Sequence, residues 1–295
     1  MNRERAIIAA FQRKHLLTVK NEWYQREIEL FFDREIQGEG KDLTSELLLS
    51  ENRKITAKII AKQSGIVAGI EEVSYWLKKQ GLRMVRKKED GQTIHRNETI
   101  LMIEGRAKDI VKYERSVINL FQRMSGIATY TSQLKKKFRN VAATRKTVLR
   151  FLDKKAVAIG GGLTHRLSLM DGILIKDNHI ALGALWHLKK LQNINSSFIE
   201  IEIQKPNEVL IIANMLLPLK VNAQKILMLD NFTPHEIRGA IIDLKKARLS
   251  DHFLIEASGG ITEKNISQYK GVDVISVGSL THSVNALDMS LEIIH

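Results

Sequence analysis

The sequence has no cysteine, very little proline and no long apolar run. The absence of Cys among its 295 residues excludes disulfides, cysteine zinc sites and thiol catalysis. No stretch approaches the roughly 18 apolar residues of a membrane-spanning helix, and no secretory cleavage site follows the amino-terminal residues. With 44% hydrophobic residues and only 3 Pro, the composition is that of a globular chain. We therefore expect a cytoplasmic protein with a well-formed core.

Aromatic residues are also scarce, at 6%, whereas 46 Lys and Arg outnumber 33 Asp and Glu. A net charge of +13 indicates either a polyanion or an anionic small molecule as binding partner. With so few aromatic residues, the scattered basic runs at 86–88 and 135–139 do not form the stacking platform of a nucleic-acid-binding protein. The composition thus favours an anionic substrate, with nucleic-acid binding as the alternative of another class.

The first half of the chain has the pattern of a mixed α and β domain. Residues 1–22 are predicted to be an amphipathic extension without site chemistry. Apolar residues at helical spacing predict a helix over 23–35, which Gly38 and Gly40 would end. Alternation predicts strands at 54–61 and 98–104, and a connecting helix is expected over 107–124.

The second half contains six short β-branched runs that end in polar residues about 20 to 30 positions apart. Helical stretches separate them, which is the pattern of a parallel α/β barrel. The carboxyl ends of barrel strands converge on one mouth, where barrel enzymes carry their chemistry. The polar residues at these ends are Lys146, Lys176, Glu202, Asp230, Ser258 and Gly278.

Glu200 and Glu202 lie two apart in an Ile-rich run, so a strand would direct both to one face. Two carboxylates inside a barrel need cations or polar substrates as neighbours, for which Arg145, Lys146 and Lys176 are candidates. The alternative is an edge strand with a solvated acidic face.

Two glycine-containing strand ends, 258–260 and 278–279, offer backbone N–H groups that could hold a phosphate. Each could instead simply permit a tight turn. His165 and His179 have a structural hydrogen-bonding role as their commoner alternative. HExxH and GxSxG motifs are absent, which excludes the zinc-hydrolase and nucleophile-elbow interpretations.

Together these segments resemble the quinolinate phosphoribosyltransferase family, the carboxylating nicotinate-nucleotide pyrophosphorylases, from about residue 23 to the end. The barrel motifs occur in the family's order: TRKT at 144–147, GGGLTHR at 160–166, LIKDNH at 174–179, EIE at 200–202, LDN at 229–231, EASGGI at 256–261 and ISVGSLTHS at 275–283. Similar upstream segments lie at 38–45, 114–119 and 124–129.

The resemblance implies an N-terminal α/β sandwich followed by an incomplete parallel α/β barrel of six or seven strands. The implied domains are 23–125 for the sandwich with its connecting helix and 126–285 for the barrel. A C-terminal helix at 286–295 would pack back on the sandwich domain. The implied reaction transfers phosphoribosyl from phosphoribosyl pyrophosphate to quinolinate with decarboxylation, requires Mg²⁺, and takes place in a homodimer with shared sites.

The resemblance also implies the roles of individual residues. The quinolinate pocket would be lined by Arg115, Thr144, Arg145, Lys146, His165, Arg166 and Lys176. The phosphoribosyl pyrophosphate would be held by Glu202, Asp230, Ser258, Gly259, Gly260, Gly278 and Ser279. Glu202 and Asp230 would also serve the Mg²⁺, mainly through pyrophosphate and water, and the catalytic residues would be Lys146, Lys176, Glu202 and Asp230.

The sequence departs from the family pattern beside the pocket. The loop after Thr147 is two residues shorter than usual, Thr164 replaces the Asn that precedes His-Arg, and Ser168-Leu169 replaces the usual Gly-Leu after that pair. Gln204 replaces a frequent acidic residue after the EIE strand. The nearest alternative is therefore a related phosphoribosyltransferase with another substrate, of the molybdenum-transport-associated type, although LIKDNH argues against it.

Overall fold

A computed structural model describes residues 2–37, 40–51 and 53–294, so Gly38 of the predicted helix-ending glycines lies outside the described residues. The α-helices are α1 (Arg3–Phe11), α2 (Glu22–Ile36), α3 (Leu43–Leu48), α4 (Ile70–Lys79), α5 (Ala107–Lys137), α6 (Phe151–Ile159), α7 (Asp177–Ala181), α8 (Val209–Leu216), α9 (Pro234–Lys246) and α10 (Ser279–His282). Short 3₁₀ helices span Lys14–Leu16, Ala184–Leu191, Pro206–Glu208, Ser250–His252 and Ile266–Gln268.

The strands include all six of the runs expected in the second half of the chain. The strands are β1 (Lys54–Ala61), β2 (Gly65–Ile66), β3 (Arg83–Lys87), β4 (Thr93–Ile94), β5 (Thr99–Arg106), β6 (Val141–Ala142), β7 (Ile173–Ile175), β8 (Asn195–Ile203), β9 (Asn222–Asp230), β10 (Leu254–Ser258), β11 (Val274–Ser276) and β12 (Met289–Ile294).

The chain folds into two compact units, each assembled from several segments. The barrel unit comprises 1–13, 134–146 and 162–279, and the sandwich unit comprises 14–133, 147–161 and 280–295. The predicted domains, 23–125 and 126–285, are consecutive stretches of chain, whereas each compact unit combines three separate segments. The two divisions differ in kind, and the domain bounds stay a prediction.

The barrel unit contains a six-stranded parallel sheet in the order β6-β11-β10-β9-β8-β7. The first strand, β6, pairs with the last, β11, so the sheet curls towards a barrel. Among the described residues, β6 and β7 do not pair with each other. The expected incomplete barrel is thereby confirmed.

The segment that follows Gly161 partly fills this gap. Leu163 bridges to Ala142 in parallel fashion. The Leu163 N–H donates to the Val141 carbonyl at 2.8 Å, and the Ala143 N–H donates to the Leu163 carbonyl at 2.9 Å. This pairing satisfies the free edge of β6 and fixes the chain that leads into His165 and Arg166.

Helix α1 covers the amino end of the barrel. Its residues Ala6, Ile7, Ala10 and Phe11 share one buried cluster with residues of the barrel strands and of the gap segment. The strand and gap residues of this cluster are Ala142, Leu163, Phe198, Ile226, Leu254 and Val274. Residues 3–11 are thus part of the barrel core, whereas the sequence indicated only an amphipathic extension.

The sandwich unit is built on an antiparallel sheet in the order β12-β1-β5-β3, with a separate β2-β4 pair. Helices α2 and α4 pack together through Phe32 and Trp76, whose rings stack with centroids 4.0 Å apart. Both side chains are almost fully buried.

The predicted C-terminal helix at 286–295 is wrong, because residues 289–294 form strand β12. Met289, Leu291 and Ile293 alternate with more polar positions, which suits the two-residue period of a strand. The strand pairs with β1 from Met289 opposite Ala61 to Ile294 opposite Thr56. The end of the chain therefore does pack within the sandwich unit, but by completing its sheet.

The connecting helix is also longer than predicted, since α5 continues from Ala107 to Lys137. Gly126, within the helix, allows a close approach: a Cβ there would lie 2.2 Å from the Asn285 carbonyl oxygen. None of the helices in the described part of the chain combines the length and hydrophobicity needed to cross a bilayer.

Candidate active site

The polar residues predicted to meet at the barrel mouth do lie at one edge of the parallel sheet. Adjacent strands are in parallel register, with Glu202 opposite Met228 and Ser258 opposite Asp230. Lys176 directly follows β7, and the segment 144–146 follows β6. Because the carboxyl ends of parallel strands share an edge, cationic and acidic side chains converge there.

Glu202 and Asp230 form the acidic half of this mouth. Burial, and after it the neighbouring Asp230, raises the pKa of Glu202. Burial likewise raises the pKa of Asp230, although Lys146 and Lys176 act in the opposite direction. The Lys176 Nζ lies 3.9 Å from the Glu202 Oε2. Two partly desolvated carboxylates facing two lysines are suited to a ligand that itself carries both charge signs.

These carboxylates fit a hard divalent cation. Mg²⁺ prefers oxygen ligands and keeps several of its waters, so it is bound by one or two carboxylates together with substrate phosphates. Burial is the main cause of the raised pKa of Glu202, and such a cation would relieve the repulsion by Asp230 that adds to it.

The end of β10 is shaped by a close contact with the loop after β9. The Asn231 N–H donates to the Ser258 carbonyl at 2.8 Å, and the Asn231 Nδ2 donates to the Asp230 Oδ2 at 2.7 Å. Gly259 has φ +86°, and a Cβ on it would lie 2.2 Å from the Asn231 Oδ1. Glycine is therefore required at 259 both by conformation and by space.

Arg145 and Arg166 supply the guanidinium groups of the unit's mouth region. Arg145 is exposed, whereas Arg166 is buried. Burial, followed by the like charge of Arg145, lowers the pKa of Arg166, while Glu200 and Asp171 counteract this. The Arg166 Nη1 donates to the Gly172 carbonyl at 3.2 Å. Arg145 lies close enough to repel the charge of Arg166, and two neighbouring guanidinium groups favour the binding of an anion.

His165 lies inside the barrel with two glutamates. Its Nε2 is 3.5 Å from one carboxylate oxygen of Glu200 and 3.5 Å from one of Glu256. All three side chains are buried. Burial, and after it the Glu256 carboxylate, raises the pKa of Glu200 well above its ordinary value.

The donor set of this trio does not fit a metal ion, although its three ligand atoms lie within 4.8 Å of one another. The Arg166 backbone N–H donates to the His165 Nδ1 at 2.7 Å, so Nδ1 is an acceptor. The neutral ring then carries its proton on Nε2, which faces the carboxylates as a donor. A metal-bound histidine instead donates from its other nitrogen, so this ring is oriented for hydrogen bonding to carboxylates.

Comparison with known proteins identifies the family of this chain. Residues 42–125 match the N-terminal domain of quinolinate phosphoribosyl transferase, and residues 127–292 match its C-terminal domain. The chain belongs to the quinolinate phosphoribosyltransferase family.

Individual relatives of this family span most of the chain. A probable nicotinate-nucleotide pyrophosphorylase (carboxylating) of Methanothermobacter thermautotrophicus is 37% identical over 86% of this chain and 93% of its own length. A protein of the same description from Methanocaldococcus jannaschii is 40% identical over 86% of this chain and 92% of its own length. The solved nicotinate-nucleotide pyrophosphorylase of Francisella tularensis is 30% identical, with a TM-score of 0.78 over 92% of this chain and 97% of that one.

All but one of the residues that the family resemblance assigned to the site lie in the barrel unit. Arg115 is the exception, since it is an exposed residue of α5 within the sandwich unit. Thr144 accepts the Lys146 backbone N–H at 3.1 Å and so shapes the turn after β6. The roles assigned to these residues stay predictions, because position alone does not test them.

His179 has a structural hydrogen-bonding role, which is the commoner one for a lone histidine. Its Nδ1 accepts the Lys176 backbone N–H at 3.0 Å at the start of α7. It thereby caps the short helix that follows Lys176.

Sequence reasoning missed the supporting residues of the site. Glu256 was seen only as part of a motif, and Asn231 was not assigned a contact. Asp171 was assigned no role; its carboxylate accepts the Leu167 N–H at 2.9 Å and the Arg13 Nε–H at 2.7 Å. Polar residues directly after strand ends, such as Asn231, were the available signal.

Proposed function

We propose that this chain is a quinolinate phosphoribosyltransferase, a pentosyltransferase that forms nicotinate mononucleotide, pyrophosphate and CO₂ from quinolinate and phosphoribosyl pyrophosphate. The observation that carries the proposal is one barrel mouth with an acidic pair, Glu202 and Asp230, facing Lys146 and Lys176. Family membership supports the same reaction and its place in NAD biosynthesis.

The cationic side chains suit quinolinate. This acid carries two adjacent carboxylates, whose repulsion and desolvation must be offset by several positive charges. Arg145 and Arg166 provide planar forks that match carboxylates, and Lys146 and Lys176 provide compact charges. A pocket with this many cations favours the diacid over a pyridine with one carboxylate.

The acidic pair suits the phosphoribosyl group. As pyrophosphate leaves, positive charge develops at the anomeric carbon of the sugar, and carboxylates at 202 and 230 stabilise it. Mg²⁺ held beside Glu202 and Asp230 would offset the negative charge of the pyrophosphate. The glycine-containing ends at 258–260 and 278–279 would hold the 5′-phosphate with backbone N–H groups.

The order of the two chemical events follows from charge. The ring nitrogen of quinolinate first bonds to the anomeric carbon while the bond to pyrophosphate breaks. The positively charged ring nitrogen then stabilises the carbanion left at the neighbouring carbon as CO₂ departs, and a proton completes the product. Decarboxylation is therefore expected to follow glycosyl transfer.

Two further properties complete the proposal. We expect a homodimer in which Arg115 of one subunit completes the pocket of the other, as the family resemblance implies. We also expect a cytoplasmic location. The sequence contains no cysteine, and the described residues include no membrane-spanning helix, which is compatible with this location.

The test is a substrate comparison with Mg²⁺, phosphoribosyl pyrophosphate and one of quinolinate, nicotinate or nicotinamide, measuring nucleotide and CO₂. Quinolinate should give equal amounts of nucleotide and CO₂, with kcat/KM at least about a hundredfold above that of nicotinate, because the monoacid leaves part of the positive charge of the pocket without a carboxylate partner. Comparable kcat/KM values for the two acids would contradict the proposal.

A further inference from the structure

The amino-terminal residues 2–13 contact the His165 segment from the amino end of the barrel. Beyond the apolar face of α1 described above, Arg3 fixes the start of the helix. Its guanidinium donates to the Asp273 carboxylate, with a shortest distance of 2.5 Å, and to the Phe253 carbonyl at 3.0 Å. Helix α1 is therefore attached to the barrel both by its buried apolar residues and by Arg3.

The end of α1 reaches His165. The His165 N–H donates to the Phe11 carbonyl at 2.8 Å. The rings of Phe11 and His165 meet edge to face with centroids 5.1 Å apart, and Phe11 also stacks on Phe198 at 6.0 Å. Phe11 thus fixes both the backbone and the ring plane of His165.

Thr164 links the same segment by its hydroxyl. Its Oγ1 accepts the Arg13 N–H at 2.8 Å and donates to the Phe11 carbonyl at 3.2 Å. This is the position at which the family's usual Asn is replaced, and here the Thr hydroxyl bridges two backbone groups of the amino-terminal segment. Thr164 is fully buried, so loss of the hydroxyl would leave the Arg13 N–H without this partner.

Arg13 holds the far side of the turn. Its Nε donates to the Asp171 Oδ1 at 2.7 Å, and the Asp171 Oδ2 accepts the Leu167 N–H at 2.9 Å. The pair His165–Arg166 therefore lies between two points, Thr164 and Leu167, that are both tied to residues 11–13.

The turn needs such support because His165 has φ +53°, in the left-handed region. A residue with a Cβ keeps this conformation only where its surroundings impose it. This conformation allows the His165 Nδ1 to accept the Arg166 N–H. It also determines the position of the Arg166 Cα, from which the side chain extends.

We infer that Phe11, Arg13 and Thr164 are positioning residues of the substrate pocket, which act by holding the His165–Arg166 turn. The inference rests on the proposed function only for its kinetic readout. It assigns to the amino-terminal helix a part in recognising the dicarboxylate, through Arg166.

The test compares Thr164→Val, which removes the hydroxyl at nearly constant volume, with Thr164→Ser, which keeps it. Thr164→Val and Phe11→Leu should each raise the KM for quinolinate at least about tenfold while the KM for phosphoribosyl pyrophosphate stays within about threefold. Thr164→Ser should restore the quinolinate KM to within about threefold of the wild type.

Phe32→Leu is the matched control, since Phe32 is a fully buried aromatic residue of the sandwich unit that stacks on Trp76. It should lower the Tm about as much as Phe11→Leu without changing the KM for quinolinate. If Thr164→Val and Phe11→Leu behave like this control, the amino-terminal segment only stabilises the fold and the inference is wrong.

A second readout does not depend on turnover. In ¹⁵N-histidine-labelled protein, His165, assigned through His165→Gln, should give the signal of the Nε2–H tautomer, and Thr164→Val should shift or broaden it. If the wild type forms no nucleotide but this change occurs, the proposed function fails while the positioning role stands. An unchanged His165 signal in Thr164→Val would overturn the positioning role.

Discussion

Glu72 is a carboxylic acid whose charge the folded state disfavours. It is fully buried on α4, and burial, followed by the charge of Asp90, raises its pKa from 4.5 to about 7. The Tyr24 hydroxyl donates to its Oε1 at 2.7 Å, and the Lys155 Nζ lies 4.0 Å from the same atom. The adjacent Glu71, held by Lys155, adds a further negative charge to this region.

This burial predicts a pH dependence of stability. Because the pKa is higher in the folded than in the unfolded state, Glu72 contributes most below pH 4.5, and that contribution is lost as the pH rises to about 7. Glu72→Gln keeps an acceptor for Tyr24 and cannot ionise. The unfolding free energy of the wild type relative to Glu72→Gln should fall by about 3 kcal/mol between pH 4.5 and 8.

Urea unfolding of both proteins at several pH values measures this difference. Glu263→Gln, at an exposed surface ion pair, is the control and should show little such trend. A constant difference between the wild type and Glu72→Gln across this range would show that Glu72 titrates normally in the folded protein.

At the mouth, Glu202→Ala and Asp230→Ala should act on the chemical step. Their charge is needed where positive charge develops on the sugar, so each should lower kcat by about a hundredfold or more with quinolinate affinity little changed. Single-turnover kinetics and equilibrium binding of quinolinate separate the two effects, and Glu263→Ala should match the wild type. An unchanged kcat in both variants would remove the acidic pair from the mechanism.

The predictability of the site differs from residue to residue. The two-residue period placed Glu200 and Glu202 on one face, and the strand ends brought Lys176 and Asp230 to one edge. Glu256 could not be assigned as the partner of Glu200, because that contact depends on the register of two non-adjacent strands, β8 and β10. Nor could the contact of Phe11 with His165 be inferred, since it joins residues 154 positions apart.

At the scale of elements, the barrel strands were predictable because buried parallel strands are continuous apolar runs. Strand β12 was not predictable, because its six residues include Met, Leu and Glu and suit a helix as well as a strand. Its pairing with β1 determines that it is a strand. Helix α5 continues beyond the predicted end at 124 and passes through Gly126, where the missing side chain permits close packing against Asn285.

The pairing of β12 with β1 predicts unequal effects of proline at neighbouring positions. The Lys62 N–H donates to the Asp288 carbonyl at 2.8 Å, and hydrogen-bonded pairs alternate in an antiparallel ladder. The Ser290 N–H therefore faces β1 and the Leu291 N–H faces away. Ser290→Pro should lower the unfolding free energy by at least about 1 kcal/mol more than Leu291→Pro.

Chemical denaturation of the two proline variants measures this, with Ser290→Ala as the control for the lost hydroxyl. Leu291→Pro loses more apolar surface than Ser290→Pro, so the comparison is biased against the expected order. Equal destabilisation, or a larger effect of Leu291→Pro, would contradict the ladder assigned to β12.

For the whole molecule, the proposed homodimer predicts complementation between two inactive variants. Arg115→Ala and Lys146→Ala should each be nearly inactive alone. If the pocket is shared between subunits, random exchange yields half mixed dimers, each with one intact site of two, and so restores about a quarter of wild-type activity. Differential tags verify exchange. Activity that stays at the parental level after verified exchange would mean that Arg115 acts within its own chain.

The interleaving of the two units has a consequence for synthesis on the ribosome. Strand β6 joins the parallel sheet only when β11 has been made, and β1 gains its outer neighbour only from residues 289–294. The parallel sheet stays incomplete until β11 has left the exit tunnel, and the antiparallel sheet stays incomplete until β12 has left it. Strand edges that are paired in the folded protein are therefore open while these residues are being made, and open strand edges favour pairing with other chains.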